Sequence, residues 1–493
     1  AIQANSTACL NSGTCQPLGG FNVWAAMPPL PFNTTSGLPQ RSGLPVTLVT
    51  AGIDTSGFFH DDVQAVDSPL SGLVAMLGAM QILGDSKLTQ TYTRQLVFTA
   101  LAGEPWGYMG SKRLLWDLAS GGTVYTSGLN LDDIDQVVEV GQVGRALNAN
   151  VTSLFAHAQN GAAWGDTTTL YQALQGAAAL SSDVMNLSRA SSANPGVPPS
   201  SLFSFLRAKP TIAGILLAEF DTQFINPYYH SSFDNGTFSS VEPLVATAVL
   251  LARTLHALAA PAGSPPLVVN ITEVQMTVLS VAQCIMLDAP GMSCPLATSL
   301  LNPDFQVTDQ FVSYAVKHYI STLAYIHTNP QEPFYKKNIY RFLWNYMGTL
   351  ASVSQTDEPC AFSENTCASG LECIGWKGSN RKNSQLMGRC QRTTVRYSPS
   401  LSTLLNFQPY SDRAIGLSFS NASSAWEAAT GWPADPLWVE SNWPNATPYL
   451  RVLLKDSNST LEAILGGGIA ACMITAVLSH LAKKAFEKQA KIV

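Results

Sequence analysis

A carboxylate at the end of a predicted strand is the residue of this sequence best suited to chemistry. The apolar run 96–101 predicts a buried strand, and the segment 103–111 (Gly-Glu-Pro-Trp-Gly-Tyr-Met-Gly-Ser) follows it. This segment predicts a glycine-rich turn that opens a helix, with Glu104 at the point where the strand ends. A carboxylate in that position can serve as a general base, ligate a metal ion or pair with a cation.

The segment 103–111 resembles the catalytic segment of the di-zinc aminopeptidases. Those enzymes carry Gly-Glu-Glu at this place, with a Gly-x-x-Gly-Ser helix start just beyond it. Their first Glu is the general base for a metal-bound water, and the second ligates one zinc ion. This sequence keeps Glu104 and has Pro105 in the place of the ligand. Because proline has no donor atom in its side chain, the resemblance implies a peptidase-like site that does not hold its metal ions.

The other ligand positions of such a site are only partly filled. Two-metal hydrolytic centres need histidine and carboxylate ligands and an open position for water. The peptidase pattern His-x-Asp is Gly-Ile-Asp at 52–54, and the last His is replaced by Phe220. Asp67 matches the carboxylate that bridges both metals, and Glu139 matches a further carboxylate. The degenerate positions are therefore Gly52, Asp54, Asp67, Pro105, Glu139 and Phe220.

This pattern predicts a pseudo-peptidase. Ligands are missing at Gly52, Pro105 and Phe220, and both imidazoles are among the losses. We expect no metal site, no cofactor and no catalytic residue. The alternative is an active membrane-anchored aminopeptidase or cyclase, and the zinc content of the purified protein separates the two.

Several short motifs recur along the chain in an order and spacing typical of one protein family. They are Phe-Asn-Val-Trp at 21–24, Gly-Phe-Phe at 57–59, Asp-Ser at 67–68, Gly-Glu at 103–104, Tyr-Met-Gly-Ser at 108–111, Glu-Val-Gly-Gln-Val at 139–143, Leu-x-x-Phe-Leu-Arg-Ala at 202–208, and Asn226 with Tyr-Tyr at 228–229. The chain thereby resembles the nicastrin family, the large glycoprotein subunits of the γ-secretase intramembrane protease complex. The resemblance runs from about Cys15 to the C-terminus and is looser over 261–400. The animal signature Asp-Tyr-Ile-Gly-Ser is Gly-Tyr-Met-Gly-Ser here, at 107–111.

The resemblance implies a non-catalytic subunit that supports assembly of the complex. It implies that this subunit recognises, or sterically gates, the N-termini of type I membrane protein substrates, with a role in Notch signalling. The implied partners are presenilin and the other small multispan subunits. A receptor or adhesion ectodomain on a dead peptidase fold is the further alternative, and co-purification with presenilin distinguishes it.

Glu104 and Tyr108 are the candidate substrate-binding residues. In the nicastrin family, the residue that matches Glu104 is implicated in recognising the free N-terminus of a shortened substrate. A carboxylate suits an ammonium group, and Tyr108 can add a hydrogen bond or a ring face. The alternative is that Glu104 is satisfied by the amides of the helix start at 107–111. A competing role within the family is steric exclusion of substrates with large ectodomains, and that role requires no ligand bound at Glu104.

The composition and the C-terminal segment predict a single-pass membrane protein. The chain has 493 residues, 46% of them hydrophobic and 12% charged, which is ample for a large core. A net charge of −6 gives no sign of a nucleic-acid surface. The apolar segment 461–482 is long enough to cross a bilayer, and the lysine-rich tail 483–493 predicts a cytosolic end. A buried core helix is the alternative for 461–482.

Sequons and cysteines predict a lumenal or extracellular ectodomain, and the family resemblance implies the endoplasmic reticulum, Golgi, endosomal system and plasma membrane as its locations. All sequons precede the apolar segment: Asn5, Asn33, Asn150, Asn186, Asn235, Asn270, Asn421, Asn445 and Asn458. The disulfide candidates are Cys9 with Cys15, Cys284 with Cys294, and Cys360, Cys367, Cys373 and Cys390 in an undetermined pairing. The last four lack the paired Cys-x-x-Cys spacing of a zinc site, so we favour disulfides.

The order of the predicted elements indicates an α/β fold. Strand-like runs at 46–51, 96–101, 137–143 and 213–218 alternate with helical patterns, which predicts an aminopeptidase-like, mostly parallel sheet flanked by helices. We divide the chain into the end of a preceding lobe or a linker (1–20), the ectodomain (21–458) with a cysteine-containing insertion at about 355–395, the transmembrane helix (461–482) and the tail (483–493). No apolar leader opens the sequence, so we expect a partial chain.

Overall fold

The fold was analysed in a computed structural model of the whole chain. The structure describes residues 5–12, 15–57, 64–120, 124–148, 150–181, 185–194, 196–236, 239–287, 294–300, 321–322, 338–360, 367–375, 388–411, 414–419, 436–441 and 458–489. It divides into two compact units, Ala1–Asn442 and Trp443–Val493, and each is treated by itself. The sequons Asn421 and Asn445, and Phe58 and Phe59 of one family motif, lie outside the described residues.

The larger unit contains sixteen described strands and nine described α-helices. The strands are β1 (Cys15–Met27), β2 (Val46–Gly52), β3 (Gln95–Leu101), β4 (Ile134–Val140), β5 (Leu147–Asn148), β6 (Val151–His157), β7 (Met185–Arg189), β8 (Ala213–Ala218), β9 (Ser321–Thr322), β10 (Ser354–Cys360), β11 (Glu372–Ile374), β12 (Gly388–Arg392), β13 (Thr394–Leu401), β14 (Leu405–Ser411), β15 (Ala414–Phe419) and β16 (Val439–Ser441). The helices are α1 (Ser6–Asn11), α2 (Leu70–Ser86), α3 (Met109–Ala119), α4 (Thr168–Ala179), α5 (Leu202–Ala208), α6 (Val241–Ala259), α7 (Ile271–Ala282), α8 (Pro295–Leu300) and α9 (Asn338–Leu350).

The main sheet is parallel at its centre and antiparallel towards both edges. Its principal strand order is β13-β1-β3-β2-β4-β8-β6-β5, and the four neighbours β3, β2, β4 and β8 are parallel. On one side β1 runs antiparallel to both β3 and β13, and on the other β6 runs antiparallel to β8. The α/β prediction is confirmed. The antiparallel flanks were not predicted, because the helix-linked crossovers that reveal parallel strands do not connect them.

Helices cover both faces of this sheet. One buried cluster joins α2, α6, α7 and α9 to one face, and a second joins α3 and α5 to the other. The four central strands are almost continuously buried, as expected for strands covered on both faces. Because these strands are parallel, their carboxyl ends meet at a single edge of the sheet, where ligands bind in open α/β sheets.

The structure joins the eight cysteines of the larger unit in four disulfides. They are Cys9–Cys15, Cys284–Cys294, Cys360–Cys373 and Cys367–Cys390. The last two hold a small sheet of β10, β12 and β11, which lies within the predicted cysteine-containing insertion. The sequence left those two pairings open. In this sheet Cys373 lies opposite Cys390, but the two are not bonded to each other: Cys373 bonds to Cys360, and Cys390 bonds to Cys367.

The described sequons of the larger unit are accessible. Four of their asparagines are exposed and two are partly exposed, which leaves room for an attached glycan: Asn5, Asn150, Asn186 and Asn270, and Asn33 and Asn235, respectively. Their occupancy stays a prediction.

The smaller unit contains one described helix, α10 (Asn458–Gln489). Its stretch Glu462–Lys484 has a mean hydropathy of 1.8 and is long enough to cross a membrane. Helix α6 passes the same test of length and composition, but most of it is buried in the larger unit, as a core helix is. The predicted segment 461–482 thus falls within a continuous apolar helix.

Candidate functional site

A cavity of about 300 Å³ lies at the carboxyl ends of the central parallel strands. Carboxylates line one part of it and aromatic rings another. Among the described residues that line it, none is a lysine or an arginine. The sequence-predicted residues that it brings together are Gly52, Asp54, Glu104, Pro105, Tyr108, Glu139 and Phe220.

Glu104 is positioned by a tight turn between β3 and α3. The backbone is left-handed at Gly103, Gly107 and Tyr108, with φ angles of +76°, +65° and +62°. Glycine adopts this conformation without steric cost, so the two glycines let the chain reverse within a few residues. The Glu104 carboxylate then folds back onto the first turn of α3. It accepts hydrogen bonds from the backbone N–H and the hydroxyl of Ser111, at 2.7 and 2.9 Å.

The contacts of Glu104 show that helix-start amides do satisfy it in part. A carboxylate offers about four acceptor positions; Ser111 occupies two of them, and the side chain of Ser201 donates to a third. Burial, to which the charge of Glu139 adds, raises the pKa of Glu104 to about 7 against the opposing effect of the hydrogen bonds from Ser201 and Ser111. A cation that entered the cavity would favour the ionised form.

Asp54 and Glu139 are retained acids that have turned towards backbone amides. Both carboxylate oxygens of Asp54 accept from the N–H of Gly103, at 2.9 and 2.8 Å. The oxygens of Glu139 accept from the N–H groups of Ser201 and Leu202, at 3.1 and 2.6 Å, at the start of α5. Helix N-termini favour negative charge, so the contacts of Glu139 stabilise its ionised form, although burial still raises the pKa of Glu139.

The three positions at which the sequence predicts missing ligands all line the cavity. An added Cβ at Gly52 would lie 3.0 Å from the Cβ of Pro69, so a side chain there would press on Pro69. Pro105 forms part of the cavity lining. Phe220 is buried, and its ring lies 4.7 Å from the ring of Phe224, centroid to centroid.

Asp67 does not line the cavity with the other retained acids. It is buried beside it, where its oxygens accept from the N–H of Gly144 at 3.0 Å and from Nδ2 of Asn226 at 2.9 Å. The carboxylate of Asp234 accepts from the backbone N–H groups of Asp67 and Ser68. Asp67 therefore fastens the loop before α2 to the loops that follow β4 and β8.

A buried acid pair completes this network. Glu219, the residue directly after β8, accepts from the N–H of Arg145 at 2.7 Å and interacts with Asp67. Burial and, to a smaller extent, the negative charge of Asp67 raise the pKa of Glu219 to about 9. Burial and the charge of Asp234 raise the pKa of Asp67 as well. Two carboxyls that share such a site do not both ionise near neutral pH, so the pair keeps a proton.

The aromatic side of the cavity comes from the loop between β8 and α6. The rings of Phe224 and Tyr229 are stacked at 5.1 Å, and His230 stacks on Tyr229 at 3.9 Å. Sequence reasoning used Tyr229 only as part of a family motif and missed Phe224 and His230. Their irregular spacing over 220–230 carries no periodic signal that could have indicated a common surface.

These residues do not fit a two-metal centre. Among the described residues, the only three potential ligand atoms within 4.8 Å of one another are sulfurs of Cys360, Cys367 and Cys373, all in disulfides. The carboxylates of Asp54 and Glu139 are each held by amide donors, and Asp67 is held by Gly144 and Asn226. Glu104, with Tyr108 beside it, is the acid of the cavity best placed to meet a small cation.

Comparison with known proteins gives a consistent family match. The family model described as the nicastrin large lobe matches residues 45–259. Nicastrin of Arabidopsis thaliana is 32% identical over 496 residues, which cover 99% of this chain and 68% of the relative. Nicastrin of Homo sapiens is 31% identical over 225 residues, which cover 45% of this chain and 30% of the relative.

Solved structures match as well. The crystal structure of the gamma-secretase component nicastrin superposes with a TM-score of 0.65 at 20% identity, over 89% of this chain and 69% of that chain. A zinc aminopeptidase from Bacillus subtilis matches 50% of this chain, and 51% of its own, with a TM-score of 0.35 at 16% identity.

Proposed function

Because the chain belongs to the nicastrin family, we propose that it is a non-catalytic subunit of a γ-secretase complex that binds the free N-terminus of its substrates. The proposed site is the cavity at the carboxyl ends of the central strands. The proposed partners are presenilin and the other small multispan subunits, and the proposed ligands are type I membrane proteins. Helix α10 would anchor the chain in the bilayer, with the larger unit lumenal or extracellular.

The observation that carries this proposal is the charge of the cavity. Three carboxylates line it, and no described lysine or arginine is among the lining residues. With hydrogen bonds from Ser111 and Ser201 in place, Glu104 keeps about one acceptor position. Burial raises the pKa of the Tyr108 phenol, and the charges of Glu139 and Glu104 add to this. Such a cavity favours a small cation, and the ammonium group at the start of a polypeptide is one.

The same geometry supports a pseudo-peptidase. Hydrolysis of a peptide at a site of this type needs bound metal to generate the nucleophile. Two of the positions that would supply ligands carry glycine and proline, and a third carries the buried ring of Phe220. The retained acids are occupied with amide donors that fix loops. The cavity is therefore better suited to binding than to chemistry.

We expect the tagged full-length protein, purified from its own cells in mild detergent, to carry presenilin and the small multispan subunits in near-stoichiometric amounts. Mass spectrometry of the sample measures this, and zinc analysis of the same sample should find no stoichiometric metal. Isolation of the glycoprotein alone or as a homodimer would contradict the subunit role. Stoichiometric zinc that is lost in an Asp67→Ala variant would contradict the pseudo-peptidase role.

Glu104→Gln is expected to weaken binding of a peptide with a free N-terminus by about tenfold to a hundredfold. The variant removes the negative charge but keeps an oxygen that can accept from Ser111, and a charge-assisted hydrogen bond contributes about 1.5–3 kcal/mol. Fluorescence anisotropy of a labelled peptide with the detergent-solubilised full chain measures the effect. The exposed Glu273, which does not line the cavity, provides the matched control Glu273→Gln.

The pH dependence of peptide binding follows from the titration of the Glu104 carboxyl group and of the α-amino group of the peptide. Glu104, with its pKa raised to about 7, loses its charge as the pH falls. An α-amino group loses its charge above about pH 8. Binding should therefore be strongest between about pH 7 and 8 and decline on both sides. If an N-acetylated peptide binds as well as the free one, the ammonium is not recognised, and steric exclusion becomes the better account.

A further inference from the structure

We propose that the cavity also selects the first side chain of the bound polypeptide, an aromatic or branched aliphatic one, by packing it on the rings of Phe224 and Tyr229. This inference rests on the proposed function, because it requires the terminal ammonium to lie beside Glu104. It goes further by naming the class of N-terminal residue that the site prefers.

The first observation is a continuous ring array along one side of the cavity. Phe220 contacts Phe224 edge to face at 4.7 Å, Phe224 stacks on Tyr229 at 5.1 Å, and Tyr229 stacks on His230 at 3.9 Å. All four residues line the cavity. The buried Phe220 supports the array from behind, where its ring also lies 5.3 Å from His157. The array is therefore held in place before any ligand arrives.

The second observation is that the middle of this array is not covered. Phe224 is 49% exposed and Tyr229 is 39% exposed, although both line a cavity and stack on each other. Apolar surface left open inside a concave site is the typical lining of a ligand pocket. A side chain that covers these rings would remove apolar area from water on both partners, which favours binding in proportion to the area buried.

The third observation is that the acidic and aromatic parts belong to one small cavity. Glu104, Tyr108, Phe224 and Tyr229 all line it, and its volume is about 300 Å³. Both parts are therefore within reach of a single bound residue. An ammonium beside Glu104 and a side chain on Phe224 can accordingly belong to the same residue.

The occupant that fits these features is the first residue of an extended polypeptide. A volume of about 300 Å³ is at the small end of the range for ligand pockets and admits a chain end rather than a folded domain. His230 does not oppose a cation there, because burial lowers the pKa of its imidazole and keeps it neutral. No carboxylate belongs to the ring array, so the array offers a basic first side chain no ion-pair partner.

The test compares three labelled peptides on the detergent-solubilised full chain. They share one flexible polar sequence and begin with phenylalanine, with glycine, or with N-acetylated phenylalanine. We expect the phenylalanine peptide to bind about tenfold more tightly than the glycine peptide, as the burial of one large apolar side chain predicts. The acetylated peptide, which lacks the ammonium group, should bind about tenfold to a hundredfold more weakly than the free phenylalanine peptide.

Variants locate the effect. Phe224→Ala is expected to remove most of the preference for phenylalanine, because it weakens binding of the phenylalanine peptide much more than binding of the glycine peptide. Phe224→Leu should keep part of the preference. The control is Phe233→Ala, because Phe233 lies on the same loop, is 65% exposed and does not line the cavity. It should leave all three affinities unchanged.

The outcomes separate this inference from the proposed function. Equal affinity for the phenylalanine and glycine peptides, with acetylation still weakening binding, would overturn the side-chain subsite and leave N-terminal recognition standing. Equal loss of both free peptides in Phe224→Ala would also overturn the subsite, because the ring would then be contacting the ammonium. If acetylation of the phenylalanine peptide does not change its affinity, both the side-chain subsite and the recognition of the N-terminus are wrong.

Discussion

Gly110→Ala is expected to destabilise the larger unit by about 3 kcal/mol and to displace Glu104. A Cβ at this position would lie 2.0 Å from the carbonyl oxygen of Ala102 and 2.6 Å from Oδ1 of Asn22. It would also lie 2.9 Å from Oε1 of Glu104. The first turn of α3 would have to move away from β3, and overpacking of this kind typically costs 1–3 kcal/mol, or more where backbone must shift.

The contacts that would be lost explain why the chain cannot relax cheaply. Asn22 is fully buried; its side chain donates to the carbonyl of Gly110 at 3.0 Å and accepts from the N–H of Ala102 at 2.9 Å. Moving α3 by the width of a methyl group breaks at least one of these bonds and leaves a buried polar group unpaired. Chemical denaturation followed by tryptophan fluorescence measures the loss of stability, and the peptide assay measures the loss of binding.

A matched control comes from helix α4. Gly176 is exposed in the helix, and an added Cβ there would meet nothing within 4 Å. Gly176→Ala should therefore stabilise the protein by about 1 kcal/mol, the usual gain in helix propensity. The gain in propensity is shared by both substitutions, so their difference isolates the close approach at Gly110. Similar stabilities for the two variants would show that α3 does not pack against β3 as described.

Glu219→Gln is expected to flatten the pH dependence of stability and to make the protein more stable than the wild type at pH 8. Glutamine imitates the protonated acid: its oxygen can accept from the N–H of Arg145, and its amide can donate to Asp67. In the wild type the same neutral form has to be made by taking up a proton. That uptake becomes more costly as the pH rises.

The direction in which stability changes with pH follows from the raised pKa of Glu219. Glu219 has a pKa of about 9 in the folded protein and an ordinary value of 4.5 when unfolded, so between these values the folded state holds the extra proton. Its contribution to stability is then fully present below about pH 4.5 and is lost as the pH rises towards 9. The loss is about 1.4 kcal/mol per pH unit for each proton bound. Asp67, with its pKa raised to about 6, acts in the same direction over a lower range.

Denaturation of the wild type and the variant at several pH values between 5 and 9 measures these slopes. Glu219→Ala serves as the second variant, because it removes the charge but also leaves the N–H of Arg145 and the Asp67 carboxylate without their partner. It should be less stable than Glu219→Gln at every pH by about 1–3 kcal/mol. Parallel pH profiles for wild type and Glu219→Gln would mean that Glu219 is ionised in the folded protein, contrary to the burial seen here.

The central part of the fold was predictable from the sequence because its signals are local. The apolar runs of β2, β3, β4 and β8 alternate with amphipathic or apolar helical segments, and that alternation specifies parallel strands joined by crossovers. The end of β3 and the start of α3 are likewise marked by glycines within a nine-residue segment. The position of Glu104 at the carboxyl edge of the sheet follows from these signals alone.

The resemblance to the di-zinc aminopeptidases predicts which metal ligands are missing. The side chain of a glycine, a proline or a phenylalanine offers no donor atom in any fold, so Gly52, Pro105 and Phe220 supply no side-chain ligand wherever they lie. Side-chain chemistry of this kind needs no coordinates. The same reasoning identified the cysteines as disulfide candidates, because their spacing lacks that of a zinc site.

Only the tertiary structure decided what the retained acids do. Asp54, Glu139 and Asp67 look equivalent in the sequence, yet the first two line the cavity and the third is buried beside Glu219 and Asp234. Their partners are amides of residues distant in the chain, such as Gly103 for Asp54 and Leu202 for Glu139. The aromatic array and the pairing of the last four cysteines are decided in the same way. Each depends on loops and strands brought together by packing, and no local pattern records such contacts.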